Sequence, residues 1–146
     1  MDLLKSMKIS SSGLSANRKR LEAISSNIAN AQTTRTAEGG PYRRKEVVFG
    51  SEPARESFSE ILEGELDATS QTVHATEVVS TNDPPVLKYD PTHPDANDEG
   101  YVAMPRINTM KEMVDMISAQ RAYEANVSAI NTTKSMFNKA LEIGRN

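Results

Sequence analysis

The sequence predicts a mainly α-helical protein, with long N- and C-terminal helices paired as an α-helical coiled coil and a small β and loop insertion between them. Three observations carry this. Apolar residues recur at helical spacing over both ends of the chain. The stretch between them is polar, acidic and punctuated by prolines. Finally, the 146 residues have a mean hydropathy of -0.55 and contain four Tyr, three Phe and no Trp, so aliphatic and Met side chains must fill a modest core. Two amphipathic ends of this kind bury their stripes only against each other or against other copies. The chain therefore reads as a part of an assembly.

The first helix is expected from Leu3 to Ala31. Its apolar seam runs through Leu3, Met7, Leu14, Leu21, Ile24, Ile28 and Ala31 and is interrupted by Ser10 and Asn17. The Ser10-Ser11-Ser12 run and Gly13 lower helix propensity, which predicts a bend or a frayed first turn before a firm helix over 14–31. From about 36 to 105 the chain changes character. Turn formers at Gly39-Gly40-Pro41, Pro84-Pro85, Asp90-Pro91 and His93-Pro94 separate short β-like runs at 42–49, 73–80, 86–89 and 101–104, and Phe58, Ile61 and Leu62 suit a helical turn or another short strand. The final helix is expected to start at Thr109-Met110-Lys111-Glu112, which fits a capping box, and to run to Gly144 without a Pro or Gly.

At a rise of 1.5 Å per residue the two helices would extend up to about 45 and about 50 Å, lengths suited to pairing along their sides. The candidate assembly surface is their apolar stripes. On the first helix these are Leu14, Leu21, Ile24 and Ile28; on the second they are Met113, Met116, Ile117, Tyr123, Val127, Ile130, Phe137 and Leu141. The second stripe is broader than a two-helix seam, which implies more than one packing partner.

A net charge of -3 hides an uneven distribution. Residues 1–36 carry six basic and two acidic groups, residues 37–100 five basic and fourteen acidic, and residues 101–146 six basic and four acidic. The basic residues of the first segment lack interleaved aromatics, so a solvated helix face is expected there and no nucleic-acid surface. With no Cys there are no disulfides, thiolate metal sites or cysteine nucleophiles. The N-terminus lacks the apolar core of a cleavable signal peptide, and no run of about 18 apolar residues suggests membrane insertion.

No catalytic, metal or cofactor site is expected. His74 and His93 stand in no ligand motif, and Asp95-Ala96-Asn97-Asp98-Glu99-Gly100 opens like a calcium loop but places Arg106 where the bidentate Glu is needed. Nucleotide-binding glycine motifs are absent, and Glu60, Glu63 and Glu65 lie on a polar stretch with nothing to raise a pKa. Asn126-Val127-Ser128 and Asn131-Thr132-Thr133 match a glycosylation sequon but fall within the expected long helix.

Residues 25–34, SSNIANAQTT, resemble the N-terminal signature of bacterial flagellar axial proteins, whose helix runs into an SxNIANxxT segment. The following RTAEGGPYRR at 35–44 looks like the basal-body rod branch of that family. DPTHPDAN at 90–97, GYVAMP at 100–105, EMVDMI at 112–117 and RAYEAN at 121–126 are similar to it in order and spacing. Thr33-Thr34-Arg35, where many axial proteins have Gly after the motif threonine, suits the proximal rod. The signature residues carried over are Asn27, Ala29, Asn30, Thr33, Thr34, Gly39, Gly40, Pro41, Tyr42, Ala122, Tyr123 and Asn126. Residues 48–85 match least.

The resemblance implies a structural subunit, without enzymatic activity, of the proximal rod of the flagellar basal body. Such a subunit is made in the cytoplasm, exported without a cleaved signal by the flagellar type III apparatus, and polymerised helically into the hollow drive shaft that crosses the periplasm. It implies an inner domain made of residues 1–35 and 106–146, with residues 36–105 as a middle β and loop segment that meets neighbouring subunits farther out. Its expected partners are copies of itself, other rod proteins, the export apparatus, and proteins of the junction between the MS ring and the export gate. A helical-bundle adaptor or secretion-chaperone-type module would share the amphipathic helices. It would fold fully alone, whereas a rod subunit would keep its ends partly disordered until assembled.

Overall fold

The computed structural model describes residues 3–53 and 71–144. Its elements run α1 (Leu3–Ala29), β1 (Lys45–Pro53), β2 (Gln71–Ser80), β3 (Val86–Tyr89), β4 (Tyr101–Met104) and α2 (Thr109–Ile143). Phe58, Ile61, Leu62 and the Glu60, Glu63, Glu65 group lie outside the described residues.

The helix α1 runs unbroken through the Ser10–Gly13 stretch, so the expected fraying does not occur there. The polar side chains there bond to the helix itself. Ser12 Oγ donates to Ile9 C=O at 2.7 Å and Asn17 Nδ2 to Gly13 C=O at 3.0 Å, which absorbs donors that would otherwise compete for the backbone. Past Ala29, a turn follows in place of further helix: Ala31 N–H donates to Ile28 C=O and Thr33 N–H to Asn30 C=O.

The expected capping box is also corrected. The cap of α2 is Asn108, whose Oδ1 accepts the N–H of Met110 at 3.1 Å and of Lys111 at 3.2 Å. Glu112, the acidic partner the box required, turns inward and is 1% exposed.

The four strands form two two-stranded sheets, β1–β2 and β3–β4. In the first, Arg44 C=O accepts Thr81 N–H at 2.8 Å and Glu52 C=O accepts Thr72 Oγ1 at 3.2 Å, so the strands run antiparallel. The second is an antiparallel hairpin with Val86 opposite Met104 and Tyr89 opposite Tyr101, the two rings meeting edge to face at 5.3 Å. Gly100, at φ +81°, permits its closing turn, because a Cβ there would meet the Tyr89 ring at 3.0 Å.

The described residues divide into two compact units, residues 3–19, 49–53, 71–76 and 120–144 in one, and 20–48 and 77–119 in the other. In the first, Ala16 and Thr133 are buried, and Gly13 brings its backbone against Asn126, leaving an added Cβ only 3.1 Å from Asn126 Nδ2. In the second, Ala23, Ile24, Asn27, Val102, Glu112 and Ala119 form the interior. What the helices bury is thus mostly small or polar.

Candidate functional site

The second unit is built around Asn27, which is fully buried and fully satisfied. Its Oδ1 accepts the Lys45 N–H at 2.8 Å and the Tyr42 hydroxyl at 3.1 Å; its Nδ2 donates to Lys45 C=O at 2.8 Å and to Glu112 Oε2 at 3.1 Å. The carboxamide therefore plays the part of a strand partner for Lys45, fixing where β1 begins. Since Tyr42 spends its single proton on Asn27, the 3.0 Å bond between Ser26 and Tyr42 runs from the Ser26 hydroxyl to the Tyr42 oxygen.

Glu112 completes the node. Its Oε1 accepts from Arg44 Nε at 2.7 Å, and Arg44 Nη1 lies 3.6 Å from the exposed Glu46. Partial burial by itself would lower the Arg44 guanidinium; the hydrogen bond and charge of Glu112, with help from Glu46, outweigh it and hold the group above its ordinary value. A carboxylate 1% exposed is tolerable here only because a cation and an amide both meet it.

The loop after α1 is stitched to this node. Asn30 Nδ2 donates to Ser26 C=O at 2.9 Å and Thr33 Oγ1 to Asn30 Oδ1 at 3.2 Å, so both serve the helix exit. Tyr42 N–H returns to Thr33 C=O at 3.1 Å, and between these ends Thr36 pairs with Gly39 and Gly40, whose φ of +88° and +78° suit a tight return. Thr34 Oγ1 donates to Asp95 Oδ2 at 2.8 Å, with Arg35 at 3.9 Å from the same carboxylate. The RTAEGGPYRR and HPDAN segments are therefore in contact, which explains why residues sixty positions apart form one pattern.

Inside the hairpin loop, Asn97 Oδ1 accepts the N–H groups of Glu99 and Tyr101, so Asn97 is occupied in shaping the turn while the Asp95 carboxylate is held by Thr34 and Arg35. Asp90 Oδ1 accepts the Thr92 hydroxyl at 2.7 Å and its N–H at 3.3 Å; the hydroxyl bond above all holds the carboxyl below its ordinary value. Among the described residues no group of three or more His, Asp or Glu is arranged to hold a metal ion.

The stripe residues divide by burial. Ile24 is buried; Leu14, Leu21, Ile28, Met116, Val127 and Ile130 are half-buried; Met113, Ile117, Tyr123, Phe137 and Leu141 are exposed. Of the remaining signature positions, Asn126 packs on Gly13, Pro41 is half-buried, and Ala29 and Ala122 are exposed. The second unit's share of α2 adds Met110 and Val114 to Met113 and Ile117, spaced as one uncovered face. Sequence reasoning missed Arg44 and Glu112 as partners and the small seam positions Ala16, Ala23 and Ala119.

Comparison with known proteins decides the family. Residues 7–35 match the model of the flagella basal body rod protein, and residues 98–143 match that of the flagellar basal body rod FlgEFG protein C-terminal region. Similar along nearly their whole length are the flagellar basal-body rod proteins FlgC of Bacillus subtilis (45% identical, covering 99% of this chain and 100% of that one) and of Borreliella burgdorferi (44%, 98% of each). That of Escherichia coli is 38% identical, covering 99% of this chain and 100% of the relative. The chain belongs to the flagellar basal-body rod protein family. It is FlgC-like within that family and is a structural, non-enzymatic component of the flagellar basal body. The family's N-terminal model ends at Arg35, within the loop that Thr34 and Arg35 tie to Asp95, so the matched residues include the node's Asn27 and most of its helix exit.

Proposed function

We propose that this rod subunit belongs to the proximal rod and polymerises helically through its terminal helices, forming part of the hollow shaft that transmits torque across the periplasm. The observation that carries the reading is the inversion of its apolar surface. Met110, Met113, Val114, Ile117, Met136, Phe137, Leu141 and Ile143 stand exposed on α2, while the buried positions of both helices hold Ala, Asn, Glu and Thr beside a single Ile. Surfaces of that kind on a soluble chain mark places where other chains pack, and a contact that repeats without closing generates a filament.

The helices α1 and α2 pair lengthwise. Supporting this, each unit by itself brings the two helices together, Gly13 lying against Asn126 in the first and Asn27 against Glu112 in the second. Residues 1–35 and 106–146 then form the inner domain, and residues 36–105 reach neighbouring subunits. The interface comprises Leu14, Leu21, Ile24 and Ile28 with the exposed α2 stripe. The partners are copies of this chain, other rod proteins and the junction between the MS ring and the export gate. The chain is synthesised in the cytoplasm and leaves through the type III export apparatus without a cleaved signal.

The test is Leu21→Asp in a host lacking its own copy of the gene. Leu21 is half-buried, so a carboxylate is tolerated in the lone subunit but becomes unpaired when a neighbour covers it, at a cost of several kcal/mol. Basal bodies without rods, with the protein still synthesised, are expected; normal rods and swimming would refute the paired-helix interface.

A further inference from the structure

Between the β3–β4 hairpin and the start of α2, the second unit carries an open hollow of about 670 Å³ with an unusual mixture of linings. Val86 and Leu87 are exposed on one wall and Ile107 is half-buried beside the Asn108 cap. Lys88, Arg106 and Lys111 ring this apolar floor. All three are exposed and none forms an ion pair within 4 Å among the described residues. Of the two acids on the wall, Glu112 is neutralised by Arg44, leaving Asp83 against Lys88, Arg106 and Lys111, of which Lys88 also acts on the nearby Asp90. The hollow is thus cationic with apolar patches and asks for an acidic, apolar peptide.

The chain contains one segment of matching chemistry. Residues 54–70, ARESFSEILEGELDATS, bring Glu56, Glu60, Glu63, Glu65 and Asp67 against a single Arg55, and place Ile61 and Leu62 directly between two of the carboxylates. Basic groups around an apolar floor are complementary to carboxylates flanking an apolar pair, and such complementarity fixes register and partner choice. With 17 residues, at most about 55 Å when extended, the segment is long enough to reach a hollow on a neighbouring subunit.

Resting on the rod-subunit reading, we infer that the hollow bounded by Lys88, Arg106 and Lys111 receives the acidic segment 54–70 of a second copy of this chain. The contact is heterologous, a hollow on one subunit and a segment on the next, and so propagates without closing.

The experiment is a charge swap in the full chain, expressed in a host lacking its own copy. Arg106→Glu with Lys111→Glu, and separately Glu60→Lys with Glu63→Lys, are each expected to lower the count of complete rods at least tenfold. The four changes together are expected to restore it to within twofold. In solution, a labelled peptide of residues 54–70 should bind the purified full chain, and at least tenfold more weakly after the Arg106 and Lys111 reversals. Silent charge reversals, or a combined variant no better than either pair, would overturn the docking. So would a peptide that binds only when the chain's own 54–70 has been replaced by a Gly-Ser linker, since the occupant would then be internal. Failure of the unaltered chain to restore rods would instead refute the rod reading itself, so the two failures are distinguishable. Circular dichroism of each variant confirms that the helices persist.

Discussion

Replacing Asn27 by Asp changes one NH2 group to an oxygen and nothing else in shape, which makes it the sharpest probe of the buried node. The two bonds donated by Nδ2, to Lys45 C=O at 2.8 Å and to Glu112 Oε2 at 3.1 Å, both become contacts between acceptors. A neutral bond of this kind contributes about 1 kcal/mol and one to a charged group about 1.5–3 kcal/mol. The new carboxylate also faces Glu112, which is 1% exposed and, among the described residues, is ion-paired with Arg44 alone; Arg44 offsets part of the repulsion. The sum is a loss of about 3–4 kcal/mol at neutral pH, a large share of the stability of a small domain. The assay is urea unfolding of the purified chain followed by helical circular dichroism, with Asn27→Ala as the reference for simple loss of the side chain. Because the buried Asp has its folded-state pKa raised, its penalty should shrink as pH falls and the carboxyl regains a proton to donate. An Asn27→Asp midpoint within about 0.5 kcal/mol of the parent would refute the bond assignment, since ordinary surface changes fall in that range.

Gly13→Ala should change stability by less than about 1 kcal/mol, the gain in helix propensity opposing a Cβ 3.1 Å from Asn126 Nδ2, while Gly13→Leu should cost about 1–3 kcal/mol by overpacking; thermal melts separate them. For Asp90, depressed mainly by the Thr92 hydroxyl, the associated stabilisation is present above the ordinary carboxyl value of 3.8 and is lost as pH falls through the lower folded value. An NMR titration should therefore show the Asp90 carboxyl moving up in Thr92→Val. Met113→Glu with Ile117→Glu, at side chains 48% and 51% exposed, should leave the purified chain's melt nearly unchanged yet abolish rods, whereas Ala119→Glu, 1% exposed, should unfold it; equal effects on melting would remove the distinction between inner seam and outer face.

Where the sequence was legible, local physics decided the outcome. The strands at 86–89 and 101–104 were readable to the residue because Pro85 and Pro105 bound them and the turn chemistry of 90–100 joins them. Both helices were legible from their periodicity. The interior was legible only in part: of the large apolar residues Leu14, Leu21, Ile24 and Ile28 only Ile24 is buried, whereas Ala16, Ala23 and Ala119 are buried too and Gly13 lies against Asn126, positions suited to close approach by their lack of bulk. Thr109 and Glu112 had the right spacing for a cap, yet the Arg44 side chain, sixty-eight positions away, claims the carboxylate first. A salt bridge between residues that far apart leaves no periodic trace, so Asn27 was visible only through its place in a family signature.

A small-residue seam closed by a polar node has an energetic consequence that a Leu-rich seam would not. Burying Ala at Ala16, Ala23 and Ala119 gains little per residue, because hydrophobic stabilisation scales with the apolar area removed from water. The node adds direction more than strength, since a buried ion pair is offset by the desolvation of its charges. The lone subunit is therefore held in register by Asn27 and Glu112 while its larger reserve of apolar area, from Met110 to Ile143, stays unspent on its surface. Covering that reserve in a polymer raises apparent stability by mass action, as with any partner that binds only the folded form. On the proposed assembly through the terminal helices, little free energy opposes unfolding of the lone subunit and much opposes it once neighbours cover the exposed α2 stripe.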